Sequence, residues 1–172
     1  PKASKNTFIK GANIYKRFIA KEKNPEVKNA LIDTLMMIYD KRIEHYKQKG
    51  TVLSYKAADL YSFKGNKVAA EVYPMAKEAM TLEKGKTKAA IVTIYMQTAV
   101  ELYKNEGIDG NEVIGAYTFA MDVLALATEN CNKRIAKNDK YSQKYKKELE
   151  NVNTSLSNVE ALFSESGAAT CD

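Results

Sequence analysis

One histidine, two cysteines and eleven tyrosines are the side chains of this 172-residue chain from which unusual chemistry would have to come. A lone imidazole, His45, offers no credible Ser–His–Asp or Cys–His set. A di-iron bundle needs Glu-x-x-His on two helices, and Glu44 stands directly beside His45 instead. Gly85-Lys86-Thr87 resembles the end of a phosphate-binding loop. That loop requires a glycine where Met80 sits and a strand where the pattern is helical, so the stretch reads as a helix stop followed by a cap. Asp109, Asn111 and Glu112 resemble the start of a calcium loop. Ile114 and Ala120 occupy the positions of its glycine and its bidentate acid, so a helix-capping turn is expected. No catalytic residue, cofactor or metal ligand is assigned, and the protein is expected not to be an enzyme.

Every long segment is spaced as a helix, and no stretch alternates with the period of a strand. Helix one is expected over about Lys5–Lys21, with Phe8, Ala12, Tyr15, Phe18 and Ile19 on one side. Asn24-Pro25-Glu26 combines a cap, a preorganised first residue and an acid at the positive helix end. Helix two then runs to Lys49, burying Val27, Leu31, Leu35, Ile38 and the stem of Arg42, with Gly50 as its left-handed stop. Thr51 is expected to cap helix three, Asn66 helix four and Asp109 helix six, with Glu112 completing a capping box. Pro74 is expected to kink helix four without breaking it. Helix seven follows Asn138-Asp139 and carries the stripe Tyr141, Tyr145, Leu149, Val152, Leu156, Val159 and Phe163.

Composition bounds the partners. No apolar run approaches the roughly 18–20 residues that span a bilayer. The net charge of +6 raises a nucleic-acid reading. Acids are nevertheless interleaved with the lysines. The one concentration, Lys133, Arg134, Lys137, Lys140, Lys144, Lys146 and Lys147, reads as a solvated helix face. Cys131 and Cys171 allow a disulfide by number. Antiparallel sixth and seventh helices would hold them at opposite ends of a rod nearly ~40 Å long, so no bridge within one chain is expected.

Internal repetition bears on architecture. Ala69, Tyr73 and Ala76 in helix four match Val113, Tyr117 and Ala120 in helix six. Leu53, Ala57 and Leu60 supply the large–small–large pattern of a partner helix. The chain thereby resembles the tetratricopeptide-repeat family, although the spacing from Tyr73 to Tyr117 exceeds the ~34 residues usual there. Three stretches, Pro1–Asn6, Leu31–Asp40 and Ser166–Cys171, resemble divergent repeat proteins of the Gram-negative cell envelope. The resemblance implies an all-α, TPR-like solenoid of about three antiparallel helix pairs closed by a long C-terminal helix. It also implies a single domain over residues 1–172, a periplasmic or cell-envelope location, and a chain that is a fragment of a longer protein.

The expected function is a noncatalytic protein–protein or peptide-binding scaffold. In the family's architecture the first helix of each pair lines a concave surface. Ser54, Ala58 and Tyr61 on helix three, with Tyr95 and Gln97 on helix five, are the expected partner-binding patch, Tyr61 and Tyr95 serving as its aromatic anchors. The alternative is a basic helical domain that binds nucleic acid or another anionic polymer. A continuous basic groove would favour that alternative, and a mixed-polarity groove with exposed aromatics would favour the scaffold.

Overall fold

Asn24 shows how local chemistry sets the elements. Its Oδ1 accepts hydrogen bonds from the Glu26 and Val27 amides at 2.9 and 3.2 Å, and Pro25 opens the helix behind it. The computed structural model describes residues 4–169, and there the chain forms seven α-helices with no strand. They are α1 (Lys5–Lys21), α2 (Pro25–His45), α3 (Lys49–Lys64), α4 (Ala69–Glu83), α5 (Ala89–Lys104), α6 (Gly110–Ile135) and α7 (Ser142–Ser166). Short 3-10 turns at Gly65–Val68 and Lys84–Lys86 flank α4. Asp109 caps α6 as its spacing predicts, its Oδ1 accepting from the Glu112 amide at 2.8 Å. α4 continues through Pro74 without a break. No helix among the described residues is long and apolar enough to cross a membrane.

Three expected helix ends are corrected. α2 stops at His45, and Gly50 lies inside the first turn of α3. Gly50 is needed for close approach: a Cβ there would stand 2.9 Å from the Leu82 side chain and 2.7 Å from Glu83 Oε1. Thr51 does not cap α3, because its hydroxyl donates to Glu83 Oε1 at 3.0 Å. Asn66 does not cap α4, because its side chain bridges Tyr61 and Glu101. For Thr51 and Asn66 a contact with another helix takes the side chain that a local cap would have used.

The helices pack chiefly on their neighbours in the chain and, for α3 with α5 and α5 with α7, on the next but one. Ion pairs and rings give the directions. Lys56–Asp40 and Lys64–Asp33 run in opposite order along α2 and α3, so those helices are antiparallel. Tyr117 stacks on Phe163 with centroids 4.1 Å apart, while Arg134 lies over Tyr145, so α6 and α7 are also antiparallel. Lys88–Glu148 and Thr93–Ser155 keep the same order, so α5 and α7 are parallel.

α5 is the most enclosed element, being packed by α3, α4, α6 and α7. Ile91, Val92, Tyr95, Met96 and Ala99 are all buried there. Ile19, Ile32, Leu35 and Tyr39 extend the core into α1 and α2. Several residues of the expected stripes lie outside: Phe18, Val27 and Tyr141 are exposed, while on α2 Leu31 packs half-buried on the core beside the fully buried Ile32 and Tyr39. Cys131 is buried near the end of α6, and the expectation about its pairing with Cys171 lies outside the described residues.

Candidate functional site

The five residues expected to form a binding patch do not form one. Tyr95 is completely buried, with its ring stacked on Tyr73 and edge-on to Phe119, so it cannot be an exposed anchor. Ser54 is buried too, its Oγ donating to the Gly50 carbonyl at 3.1 Å. Ala58, Tyr61 and Gln97 are half-buried. The Tyr61 hydroxyl is already used: it donates to Asn66 Oδ1 at 2.8 Å, and Asn66 Nδ2 donates to Glu101 Oε2 at 2.7 Å. That chain ties α3 to α5. Burial, and after it the Glu101 charge, pushes the Tyr61 phenol above its ordinary range.

The open surface lies one residue further round α3. On that helix Thr51, Tyr55, Asp59 and Ser62 follow one another at helical spacing, a polar stripe with a single aromatic. Tyr55 is 43% exposed. It borders a cavity of about 290 Å³ formed with Ile9, Asn13 and Lys16 of α1 and Tyr39 and Arg42 of α2. On its other side it borders a small cavity of about 70 Å³ with Thr51, Ser54, Glu83, Lys86 and Lys88. Lys88 then borders an open cleft of about 530 Å³ between α5 and α7, lined by Thr93, Ile94, Glu148, Asn151 and Asn158. The three depressions are neighbours, Tyr55 lining the first and second and Lys88 the second and third, and together they mark a furrow-like track over α1, α3, α5 and α7.

The polarity of the furrow is mixed. Lys16 Nζ stands 3.1 Å from Asp59 Oδ2, and Lys88 Nζ stands 3.1 Å from Glu148. Tyr39 donates its hydroxyl hydrogen to Asp59, and burial, followed by that bond, drives the phenol far above its ordinary range. A side cavity of about 210 Å³ opens beneath Lys88 toward Cys131 and Tyr145. Burial, then the Glu148 charge, raises the Cys131 thiol as well. Two buried side-chain atoms among the described residues lack a hydrogen-bond partner, Arg42 Nε and Thr87 Oγ1. Both belong to residues that border these cavities. Thr87 therefore does not act as the expected cap, and α5 begins with no side-chain cap at all.

Among the described residues no three of His, Cys, Asp or Glu converge as metal ligands would. His45, at the end of α2, packs beside the ring of Phe8. The sequence reading missed Tyr55, Arg42 as a charged group, Lys16 and Lys88. The signal for Tyr55 was present as the lone aromatic on a polar stripe. Against known proteins, the chain matches no protein-family model, no curated protein and no solved structure.

Proposed function

We propose that the protein is a noncatalytic scaffold that binds an extended peptide segment of a protein partner along this furrow. The observation that carries the reading is the succession of three neighbouring depressions that share Tyr55 and Lys88 as lining residues. Their mixed lining suits a peptide, which presents apolar, polar and charged groups in alternation. A nucleic-acid backbone would call for a run of unpaired cations. Here Lys16 and Lys88 are each matched by an acid, and the two cations left without an ion pair among the described residues, Arg42 and Lys86, line different depressions and form no run.

A TPR-like solenoid is the architecture we propose with it. Packing between chain neighbours, with further contacts joining α3 to α5 and α5 to α7, supports that arrangement. The location proposed is the cell envelope, and it rests on the resemblance of the three short stretches described above.

Selection from a phage-displayed random dodecapeptide library tests the reading. Enriched peptides should bind the protein and lose binding to Tyr55→Ala and to Lys88→Glu, both substituted at solvent-facing positions. Failure to enrich any peptide above a blank surface, or equal binding to both variants, would overturn it.

A further inference from the structure

Arg42 is 6% exposed, yet it makes no ion pair among the described residues. Its Nη2 donates to Gln48 Oε1 at 3.0 Å, its Nε donates to nothing, and its Cζ lies 6.0 Å from the centroid of the Tyr55 ring. A guanidinium removed from water is costly unless an anion and hydrogen-bond acceptors replace the water. One neutral amide and one aromatic face do this in part.

The surroundings do not neutralise it. Asp59 lies between two residues of the same cavity, accepting from Tyr39 and pairing with Lys16. Lys56, also on α3, is matched by Asp40. Lys16 and Arg42 set against Asp59 leave one positive charge uncompensated. That charge sits at the wall of a cavity of about 290 Å³, large beside the roughly 30 Å³ share of one water.

We propose that this cavity between α1, α2 and α3 is an oxyanion subsite of the furrow, taking one carboxylate or phosphate group carried by the ligand. Arg42 supplies the charge, and guanidinium geometry matches a planar or tetrahedral oxyanion through two parallel N–H bonds. Lys16, with its side chain 36% exposed, meets the group from the rim. The Asn13 amide adds a neutral donor, and the Tyr55 ring closes one side. The subsite rests on the reading of the furrow as a ligand groove and adds to it the kind of residue the ligand must carry: an acidic or a phosphorylated one.

The test uses small anions, so it needs no peptide. The Arg42 Nε–H signal is followed by ¹H–¹⁵N spectroscopy while sodium acetate, inorganic phosphate or sodium chloride is added at matched ionic strength. A saturable shift with acetate, with phosphate or with both, absent with chloride, is expected. Acetate alone would mark a carboxylate ligand, phosphate alone a phosphorylated one, and both the shared oxyanion chemistry. Lys16→Gln, changed at the rim where folding is least at risk, should weaken the response at least ~3-fold. An unmoved Nε–H signal, an equal drift in all three salts, or an undiminished response in Lys16→Gln overturns the subsite. Those outcomes leave the furrow to its own selection experiment, whose failure would in turn leave anion binding at Arg42 standing.

Discussion

The ring of Tyr95 lies flat on the ring of Tyr73, with centroids 4.9 Å apart and planes 5° from parallel. The Tyr95 hydroxyl donates to that of Tyr73 at 3.4 Å, inside a core that no water reaches at Tyr95. This pair joins α4 to α5, so its role is cohesion. Tyr95→Ala should cost about 3–5 kcal/mol of stability, as truncation of a buried aromatic does. Tyr95→Phe keeps the stack and should cost only about 1 kcal/mol for a long hydroxyl bond. Urea unfolding of the two variants checks this. Equal costs would mean that the hydroxyl, not the ring, holds the two helices.

Gly85 should tolerate no side chain. A Cβ there would come within 2.7 Å of the Leu126 carbonyl oxygen, a backbone atom of α6. Gly85→Ala must push the turn away from α6 and should destabilise by about 1–3 kcal/mol. Gly115, inside α6, meets nothing within 4 Å. Gly115→Ala should therefore stabilise by about 0.5–1 kcal/mol through helix propensity and a less flexible unfolded chain. Opposite shifts of the two urea midpoints are the expected result.

Those two glycines mark where sequence reasoning succeeds and where it stops. Local signals are legible: the Asn24-Pro25 start, the Asp109 cap and the extent of α1 all follow from chemistry within a few residues. Gly85 was read as a helix stop, yet the residue with positive φ at the end of α4 is Lys84, at 50°. Gly85 is glycine because α6 passes beside it, and nothing within four residues of it says so. Thr51 and Asn66 went the same way, drawn from caps to Glu83, Tyr61 and Glu101.

The candidate site was less legible for a geometric reason. Moving one residue along a helix turns the face by about 100°, and Tyr61 misses the track of Tyr55 by that kind of step, while Ser54 borders one of its depressions only as a buried wall residue. Tyr95 could have been placed correctly. The segment around it is apolar on every side, which marks a buried helix rather than one with a free face. Arg42 could not be recognised as unpaired, because its fate depends on which lysines take Asp40, Glu44 and Asp59, and two of those pairings are made between helices.

Alkaline pH should unfold the protein earlier than its lysine-rich surface suggests. Tyr39 and Tyr95 are held neutral far above the ordinary phenol range, chiefly by burial, and Tyr73 and Tyr61 are raised in the same direction. In the unfolded chain these phenols ionise near pH ~10. Above that the unfolded state has lost protons that the folded state keeps, so stability falls as pH rises. Their contribution is fully present below about pH 10 and is lost on the way to the raised folded values. Absorbance at 295 nm should show a cooperative step of tyrosine ionisation that coincides with loss of helix by circular dichroism. A single smooth titration of all eleven near pH 10, with the helix intact, would contradict this.

Cys131 should be slow to react in the folded state. Its side chain is 2% exposed, and burial with the nearby Glu148 charge raises its thiol, so both access and thiolate fraction are low. In a Cys171→Ser protein, a disulfide-exchange reagent such as DTNB should modify Cys131 at least ~10-fold more slowly at pH 7.5 than in denaturant. Equal rates would show that α6 and α7 part readily at that end.

The three tyrosines Tyr55, Tyr61 and Tyr141 separate the proposed ligand track from its surroundings. Tyr55 stands at the junction of two depressions with its ring half free, so a bound peptide must pass it. Tyr61 is half-buried and committed to Asn66, so its substitution should loosen the α3–α5 bridge more than it removes contact with a ligand. Tyr141 is 47% exposed beside the start of α7 and has Lys140 as its close neighbour. For a peptide taken from the selection experiment, Tyr55→Ala should lower affinity by about 10- to 30-fold, the loss expected when a central aromatic contact worth about 2 kcal/mol is removed. Tyr61→Ala should change affinity by less than about 3-fold while lowering the unfolding midpoint, and Tyr141→Ala should change neither by much. Isothermal titration with each variant, alongside thermal melts, gives both readings. A larger affinity loss in Tyr61→Ala than in Tyr55→Ala, at equal foldedness, would move the ligand off the furrow and onto the neighbouring face of α3.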